Sequence, residues 1–279
     1  MPELPEVEVV RRGLALGVLD RAVREVEATG ARSIRRHADA AEFGGALRGR
    51  TVRAVDRRGK YLLLRLDDDA VLVAHLRMSG QLRLVDDPTV ERAKHTHVVL
   101  TFADGGQLRF VDPRTFGELF VSASRSRDGE VVELASLGPE PLDPATTPET
   151  LGRRLTPRRT RLKTALLDQR TIAGIGNIYS DEIAFRAGLR HDHRTDTLTE
   201  EEVARLHAAM VGVLDAAVRC GGSSLADGQY VDVDGRAGTY QHEHAVFARA
   251  GTPCPRCGRT IERVRFAGRS THFCPGCQR

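Results

Sequence analysis

Tyr61-Leu-Leu-Leu-Arg-Leu66, Asp67-Asp-Asp-Ala70, Val71-Leu-Val-Ala-His-Leu76: two apolar runs are separated by an acidic break that ends one and lets the next begin. Short runs rich in Leu and Val, closed by turn-forming residues, read as β-strands. Working outward, comparable runs occur at 51–55, 81–85, 97–102, 107–111 and 118–122, divided by turn signals such as Arg57-Arg58-Gly59 and Asp104-Gly105-Gly106. Strands at this spacing indicate an antiparallel sandwich or barrel. Ahead of them, residues 5–19 carry Val7, Val10 and Leu14 at helical spacing, with Pro5 suited to a first turn. Residues 30–49 are mixed in pattern.

Beyond the strands the punctuation changes. Leu137-Gly-Pro-Glu-Pro-Leu-Asp-Pro-Ala-Thr-Thr-Pro148 holds four prolines and reads as an interdomain linker. Helical periods follow at 148–155, 162–168, 177–187 and 199–220. Residues 221–251 are polar and rich in Gly and Asp, the composition of a long mobile loop. A chain of 279 residues, 41% hydrophobic and 29% charged, has the length of two domains and the composition of globular ones. No apolar run approaches the roughly 18 residues of a membrane span. Acids at the start, in place of a basic and then apolar segment, exclude a secretory signal and predict a protein that is not exported by that route.

Net charge is only +4, but it is unevenly placed. From Arg249 to Arg279 there are seven Arg and one Glu, while the other 248 residues hold 35 basic against 37 acidic side chains. Arg153, Arg154, Arg158, Arg159, Arg161 and Lys163 form a second stretch free of acids. Local basic patches on a near-neutral body suggest a polyanionic partner. Of 42 basic residues only Lys60, Lys94 and Lys163 are lysines. Where Arg is the default, a remaining Lys draws notice, because an ammonium can give up a proton that a guanidinium keeps.

Four of the five cysteines form Cys254-x-x-Cys257 and, sixteen residues on, Cys274-x-x-Cys277. Two such knuckles place four thiolates around one zinc ion, a filled and therefore structural site. Residues 260–266 between them are β-like, which predicts a zinc-bound hairpin with Arg265 and Arg269 near its tip. Cys220 is left over and reads as a buried helix residue.

The first residues carry a different chemistry. With a small proline at position 2, removal of Met1 is expected to expose a secondary amine next to Glu3 at a helix start. At pH 7 roughly one α-amine in ten is neutral, against fewer than one lysine in a thousand. The positive end of a helix favours the neutral form further. A secondary amine attacking a carbonyl-like carbon gives an iminium, an electron sink suited to elimination. Glu3 and Glu6 share a face of the first turn, where they suit proton transfer or simple complementation of the helix dipole.

Met1-Pro-Glu-Leu-Pro-Glu-Val-Glu8 resembles the opening of the bacterial formamidopyrimidine-DNA glycosylases. Further blocks match in order: Arg58-Gly-Lys60, Met78-Ser-Gly, Lys94-His-Thr-His97, Asp112-Pro-Arg-Thr-Phe-Gly117, Leu137-Gly-Pro-Glu-Pro141, Asp168-Gln, Gly174-Ile-Gly-Asn-Ile-Tyr179, Gly221-Gly-Ser-Ser and the cysteine pattern. The resemblance implies an α+β multidomain fold. Its parts would be an N-terminal antiparallel β-sandwich with flanking helices (1–136), a linker (137–150), a helix–two-turn–helix domain with a flexible lesion loop (151–240) and a zinc-finger β-hairpin (241–279). It implies a bifunctional DNA glycosylase and AP lyase of base excision repair, acting on oxidised purines such as 8-oxoguanine through a Schiff base at the N-terminal proline and cleaving the strand by β,δ-elimination.

By the same resemblance Pro2 is the nucleophile, Glu3 the acid, Lys60 a proton donor and Glu6 a supporting residue. His95, Arg114, Lys163, Asn177 and Arg269 contact DNA. Met78, Arg114 and Phe116 fill the space of a flipped-out base. Cys254, Cys257, Cys274 and Cys277 hold one structural zinc. Gly174-Ile-Gly176-Asn177 reads as a glycine turn before an Asn-capped helix, with N–H groups toward an anion. The partner is damaged double-stranded DNA, with no membrane and no obligate protein partner. A monomer in the bacterial cytoplasm, at the nucleoid, is expected. Two departures stand out: Thr115 lies where the family is often basic, and residues 238–249 are a loose version of an aromatic-rich segment. The competing readings are an endonuclease VIII-type enzyme for oxidised pyrimidines, against which Leu4 and the Arg114/Phe116 pair argue, and a non-catalytic zinc-finger DNA-binding protein, against which Pro2, Glu3 and Lys60 argue.

Overall fold

The computed structural model describes residues 1–126, 129–225 and 228–279. They pack as two units, one of residues 1–135 with 221–239, the other of residues 136–220 with 240–279. The first is a β-sandwich. One antiparallel sheet runs β1 (Val23–Ala28), β6 (Thr96–Phe102), β7 (Gln107–Val111), β5 (Gln81–Val85). The other runs β2 (Val52–Arg58), β3 (Tyr61–Leu66), β4 (Val71–His75), β8 (Glu118–Ser122). The hairpin expected at 61–76 is present, with Tyr61 opposite His75 and Leu64 opposite Leu72. Every residue of β4 and of β7 is buried; β4 reads as an almost continuous apolar run, whereas β7 buries Gln107 and Arg109 among its apolar residues.

Helix α1 (Leu4–Gly17) packs on β2, β3 and β5 through a buried face of Leu4, Val7, Val10 and Leu14. Between β1 and β2 lies the short α2 (Ala40–Gly45), whose N-cap Asp39 accepts from the N–H groups of Ala41 and Glu42, both at 2.8 Å. It sends Phe43, and the turn after it Leu47, into the core shared by the two sheets.

Strand β1 has no counterpart in the sequence reading. Val23 and Val26 are three apart, a helical interval, and yet both are buried. A register shift between Val23 and Glu25 in the pairing with β6 supplies the extra residue that turns both valines inward. Residues 221–239 also depart from expectation. Expected as a loop of the helical domain, they pack in the first unit. Tyr230 and Val233 join its core, and the Val233 carbonyl accepts from Leu84 N at 3.0 Å. Of the loop expected at 221–251, residues 226 and 227 lie outside the described residues.

The second unit is built on α5 (Asn177–Ala187), nine of whose eleven residues are buried. It contacts α4 (Leu162–Leu167), α6 (Glu200–Arg219) and the finger strand β10 (Arg269–Phe273), while α3 (Pro148–Leu155) packs on α6. Thr147 caps α3, and a Thr199/Glu202 capping box starts α6. Gly188, at φ +74°, ends α5 in the left-handed conformation that favours glycine. Cys220 is the C-cap of α6 and half-buried, not the buried helix residue expected, because the helix ends one residue before it. Among the described residues no helix is long and apolar enough to cross a membrane.

Leu62 is fully buried in the core that joins the two sheets, whereas Leu16 on α1 is 92% exposed. Leu62→Ala is expected to cost about 2–5 kcal/mol in urea unfolding, and Leu16→Ala no more than about 0.5 kcal/mol. Equal effects would contradict this packing.

Candidate active site and zinc centre

The N-terminus is held by its own helix. Glu3, 2% exposed, is the N-cap of α1, and its backbone N–H donates to Glu6 Oε2 at 2.8 Å. The other oxygen of Glu6 accepts from Ser223 N at 2.7 Å. Both carboxylate oxygens of Glu6, itself 1% exposed, thus tie the helix start to the 221–225 segment. Gly222 makes this approach feasible: its φ is +80°, and a Cβ there would lie 2.9 Å from Glu6 Cγ. Pro2 is buried ahead of this cap, and Met1 is exposed. Lys60 is buried in the turn between β2 and β3, two strands against which α1 packs.

His75 is a residue the sequence reading missed. It is buried on β4, edge-on to Tyr61 at 4.4 Å, and its Nδ1 accepts from Arg77 N at 2.9 Å. Burial, then the charges of Arg77 and Lys60, hold its pKa well below the ordinary histidine value, so the ring is neutral. A lone His in an apolar strand gives no signal of this; the strand register brings it beside the Lys60 turn.

Three of the quoted sequence blocks converge on Asp112, which is fully buried. Its carboxylate accepts from Ser79 Oγ at 2.5 Å, Gly117 N at 2.7 Å and Arg114 N at 3.2 Å. Its backbone N–H donates to the His95 carbonyl at 3.0 Å, and its own carbonyl meets His97 Nε2 at 3.0 Å. One residue therefore ties together the loops of Met78, His95, Arg114 and Phe116. Next to it Glu118, 3% exposed, draws in Arg35, Arg36 and Arg77 at 3.0–3.3 Å. Burial pushes the Glu118 carboxyl up, but these guanidiniums outweigh it and hold it below the usual range.

Arg35 also donates to the carbonyls of Phe116 and Gly117. The loop so anchored leaves apolar groups in water: Met1 at 46%, Met78 at 37% and Phe116 at 41% exposure. Together with Arg32, Arg35, Arg77 and Thr115 they line one open depression of about 450 Å³. Arg114 stacks its guanidinium 5.1 Å from the Phe116 ring. Apolar side chains on a polar rim mark an interaction site. Thr115 has φ +54°, so its backbone serves the loop's turn. His95 is exposed, its ring 6.3 Å from that of His97.

In the second unit Lys163 and Asn177 meet at one carbonyl. Ser270 O accepts from Asn177 Nδ2 at 3.0 Å and from Lys163 Nζ at 3.4 Å, and Arg269 precedes it, exposed. Asn177 is not the cap that the glycine turn suggests: Gly176 holds that position, and the Asn side chain reaches β10 instead. The acid-free stretch 153–163 is partly neutralised by acids remote in sequence, Arg158 by Asp168 at 2.6 Å and Lys163 by Asp181 at 2.5 Å.

The knuckles bracket the hairpin of β9 (Glu262–Phe266) and β10. The four Sγ atoms of Cys254, Cys257, Cys274 and Cys277 lie within 4.8 Å of one another, with pairs at 3.5 and 3.9 Å. Zinc–thiolate bonds of about 2.3 Å in a tetrahedron require sulfur separations of about 3.8 Å. The site fits one structural zinc. Cys254, Cys274 and Cys277 pack with Val246, Ile261 and Phe185 of α5 into a small apolar cluster, so metal and core hold the finger together.

Comparison with known proteins agrees with this geometry. Residues 1–119 match the formamidopyrimidine-DNA glycosylase N-terminal domain, 137–228 its H2TH domain, and 251–279 the zinc finger found in FPG and IleRS. The formamidopyrimidine-DNA glycosylase of Desulfitobacterium hafniense is 42% identical over 278 residues, covering all of both chains. The crystal structure of the MutM (Fpg) protein of Thermus thermophilus superposes with a TM-score of 0.87 at 45% identity, covering 99% of this chain and 98% of that one. Lactococcus lactis Fpg bound to DNA containing an abasic site gives 0.88 at 35% identity and 99% coverage of each.

Two sheets, a helical unit and a zinc-braced hairpin thus define a DNA-repair scaffold. The chain belongs to the formamidopyrimidine-DNA glycosylase family, whose members are glycosylases and AP lyases of base excision repair.

Cys277→Ser is expected to drop bound zinc from one per chain to well below that by metal analysis. Lesion-DNA affinity should fall at least about tenfold, a change of ~1.4 kcal/mol. Full affinity in metal-free protein would remove the finger from the binding surface.

Proposed function

We propose that this protein removes oxidised purines, 8-oxoguanine and formamidopyrimidines, from duplex DNA and then cleaves the strand by β,δ-elimination, with Pro2 as nucleophile. The observation that carries this reading is the placement of Pro2, buried immediately ahead of the α1 cap, with Glu3 and Glu6 locked at the same helix start. Once Met1 is removed, the prolyl nitrogen has a basic lone pair, and the positive end of the helix dipole favours its neutral form.

The nitrogen attacks C1′ of the damaged nucleotide. The glycosidic bond breaks with its electron pair going to the base, and Glu3 supplies a proton to the departing base or the opening sugar ring. Loss of the ring C–O bond leaves an iminium at C1′, which acidifies the C2′ protons and permits elimination of the 3′ and then the 5′ phosphate. Glu6, both of its oxygens occupied by backbone donors, positions the amine rather than carrying protons. Lys60 serves as a proton donor, and neutral His75 beside it adds no competing charge.

Damaged double-stranded DNA is the partner. Arg114, His95, Lys163, Asn177 and Arg269 contact its backbone or the orphaned base, and Met78, Arg114 and Phe116 occupy the vacated stack. The clustering of exposed Met78 and Phe116 in one depression supports this, because an apolar patch rimmed by polar residues marks an interaction site. We assign the protein to the bacterial cytoplasm, at the nucleoid, as a monomer. The sandwich carries the chemistry, residues 137–150 link it to the helical domain, and the finger begins near residue 241.

Borohydride added during turnover should leave the protein covalently attached to DNA, with the adduct mapping to residue 2. Retaining Met1 turns the nitrogen into an amide and should abolish trapping. Glu3→Gln should impair base removal yet still trap on a pre-formed abasic site, and Lys60→Ala should slow excision more than such trapping. An adduct on Lys60 or Lys163 would overturn the mechanism. Cleavage should favour 8-oxoguanine opposite cytosine over thymine glycol, because Arg114 donates to the acceptor edge of an orphaned cytosine. Thymine glycol cut at least as fast would transfer the assignment to the endonuclease VIII type.

A further inference from the structure

The surroundings of Asp181, the acid that neutralises Lys163, are unusual. It projects from α5 and is 1% exposed. One carboxylate oxygen meets the Lys163 ammonium of α4 at 2.5 Å, and Lys163 is also 1% exposed. The other accepts from the backbone N–H of His272 on β10 at 2.9 Å and lies 3.3 Å from its Nδ1. One side chain therefore bridges α4, α5 and the finger hairpin. Lys163 Nζ and Asn177 Nδ2 both reach Ser270 O, between Arg269 and Thr271 of the same strand. The cation, the amide and the guanidinium of the DNA contact surface are thus linked through a buried carboxylate and one carbonyl.

A buried ammonium without a counter-ion would lose its proton or leave its position. A hairpin strand joined to a helix only through apolar contacts could slide, because such contacts are not directional. A carboxylate taking one cation and one backbone N–H resists both. The adjacent Glu182 anchors the preceding segment in the same way, accepting from Ala245, Val246 and Phe247 N at 2.8–2.9 Å. That bond set would hold residues 245–247 even with Asp181 changed.

We propose that Asp181 is a positioning residue for DNA binding. By fixing Lys163 and the β10 backbone together, it sets the positions from which Lys163, Asn177 and Arg269 reach phosphate. The inference rests on the reading that these three contact phosphate. It requires that removing Asp181 and removing Lys163 cost the same affinity once, not twice.

The test uses full-length, zinc-loaded protein and a duplex bearing a tetrahydrofuran abasic analogue, with dissociation constants measured from about 50 to 200 mM salt. Asp181→Asn should weaken binding about tenfold and lower the salt slope by about one phosphate contact. The loss should fall on affinity, while borohydride trapping at saturating abasic DNA keeps its rate. Lys163→Met should weaken binding and lower the salt slope by the same amounts. The double variant removes both buried charges, so it remains foldable even where Asp181→Asn alone unsettles the finger. It should bind as Lys163→Met does, with zinc still at one per chain. Additive losses in the double variant, or an Asp181→Asn protein with unchanged affinity and slope beside a weakened Lys163→Met, would overturn the coupling alone. Unchanged binding by Lys163→Met would overturn the phosphate-contact reading, and the coupling with it.

Discussion

Both oxygens of one buried carboxylate, Glu6, are committed to backbone N–H groups, one at the start of its own helix and one at Ser223. This constraint holds the chain's first residues against a segment more than two hundred positions away. The first residues of a chain meet the usual difficulty that termini fray. Here the helix begins at once, its first turn is buried, and the cap is closed by a carboxylate that has no freedom left. Gly222, in the left-handed region and without a Cβ, is what lets the second segment approach. Asp112 repeats the device between the loops of Met78, His95 and Phe116, again with backbone donors on a buried acid.

Such acids explain how exposed chemistry is made rigid. Met78, Phe116 and Arg114 stand in solvent, but the turns that carry them are not loose, because Asp112 and the Arg35–Glu118 contact fix their backbones. The second unit follows the same logic with opposite emphasis. Its cations are brought inward and paired, Lys163 most completely, so that the basic stretch at 153–163 presents less free charge than its composition implies. The zinc site then closes a hairpin whose apolar cluster is too small to order it alone.

Several features escaped the pattern of residues for identifiable reasons. Strand β1 carries its valines three apart, and only the bulge against β6 makes that interval compatible with a sheet. Asn177 has the residue type and glycine context of a cap, but Gly176 holds the cap position, and the Asn177 amide donates to a carbonyl on β10. Residues 221–239 have loop composition, and those of them that are described lack regular structure while still packing Tyr230 and Val233 into the core. His75, Glu118 and Asp181 look like ordinary strand or helix residues until pairing register and helix packing bring them to Lys60, the Arg35–Arg77 cluster and Lys163.

What the amino-acid order determined by itself was local: strands at 61–66 and 81–85, helices at 148–155 and 177–187, the four-thiolate site, and a helix opening near Pro5. Each depends on interactions spanning a few residues, where periodicity, capping chemistry and cysteine spacing act directly. Only the tertiary structure decided which buried acids receive which donors. Glu6 with Ser223, Asp112 with Ser79 and Asp181 with His272 join positions far apart in sequence. Hydrogen bonds of this kind form over about 3 Å and are directional, so their partners are chosen by how helices and sheets pack, which no local run of residues encodes.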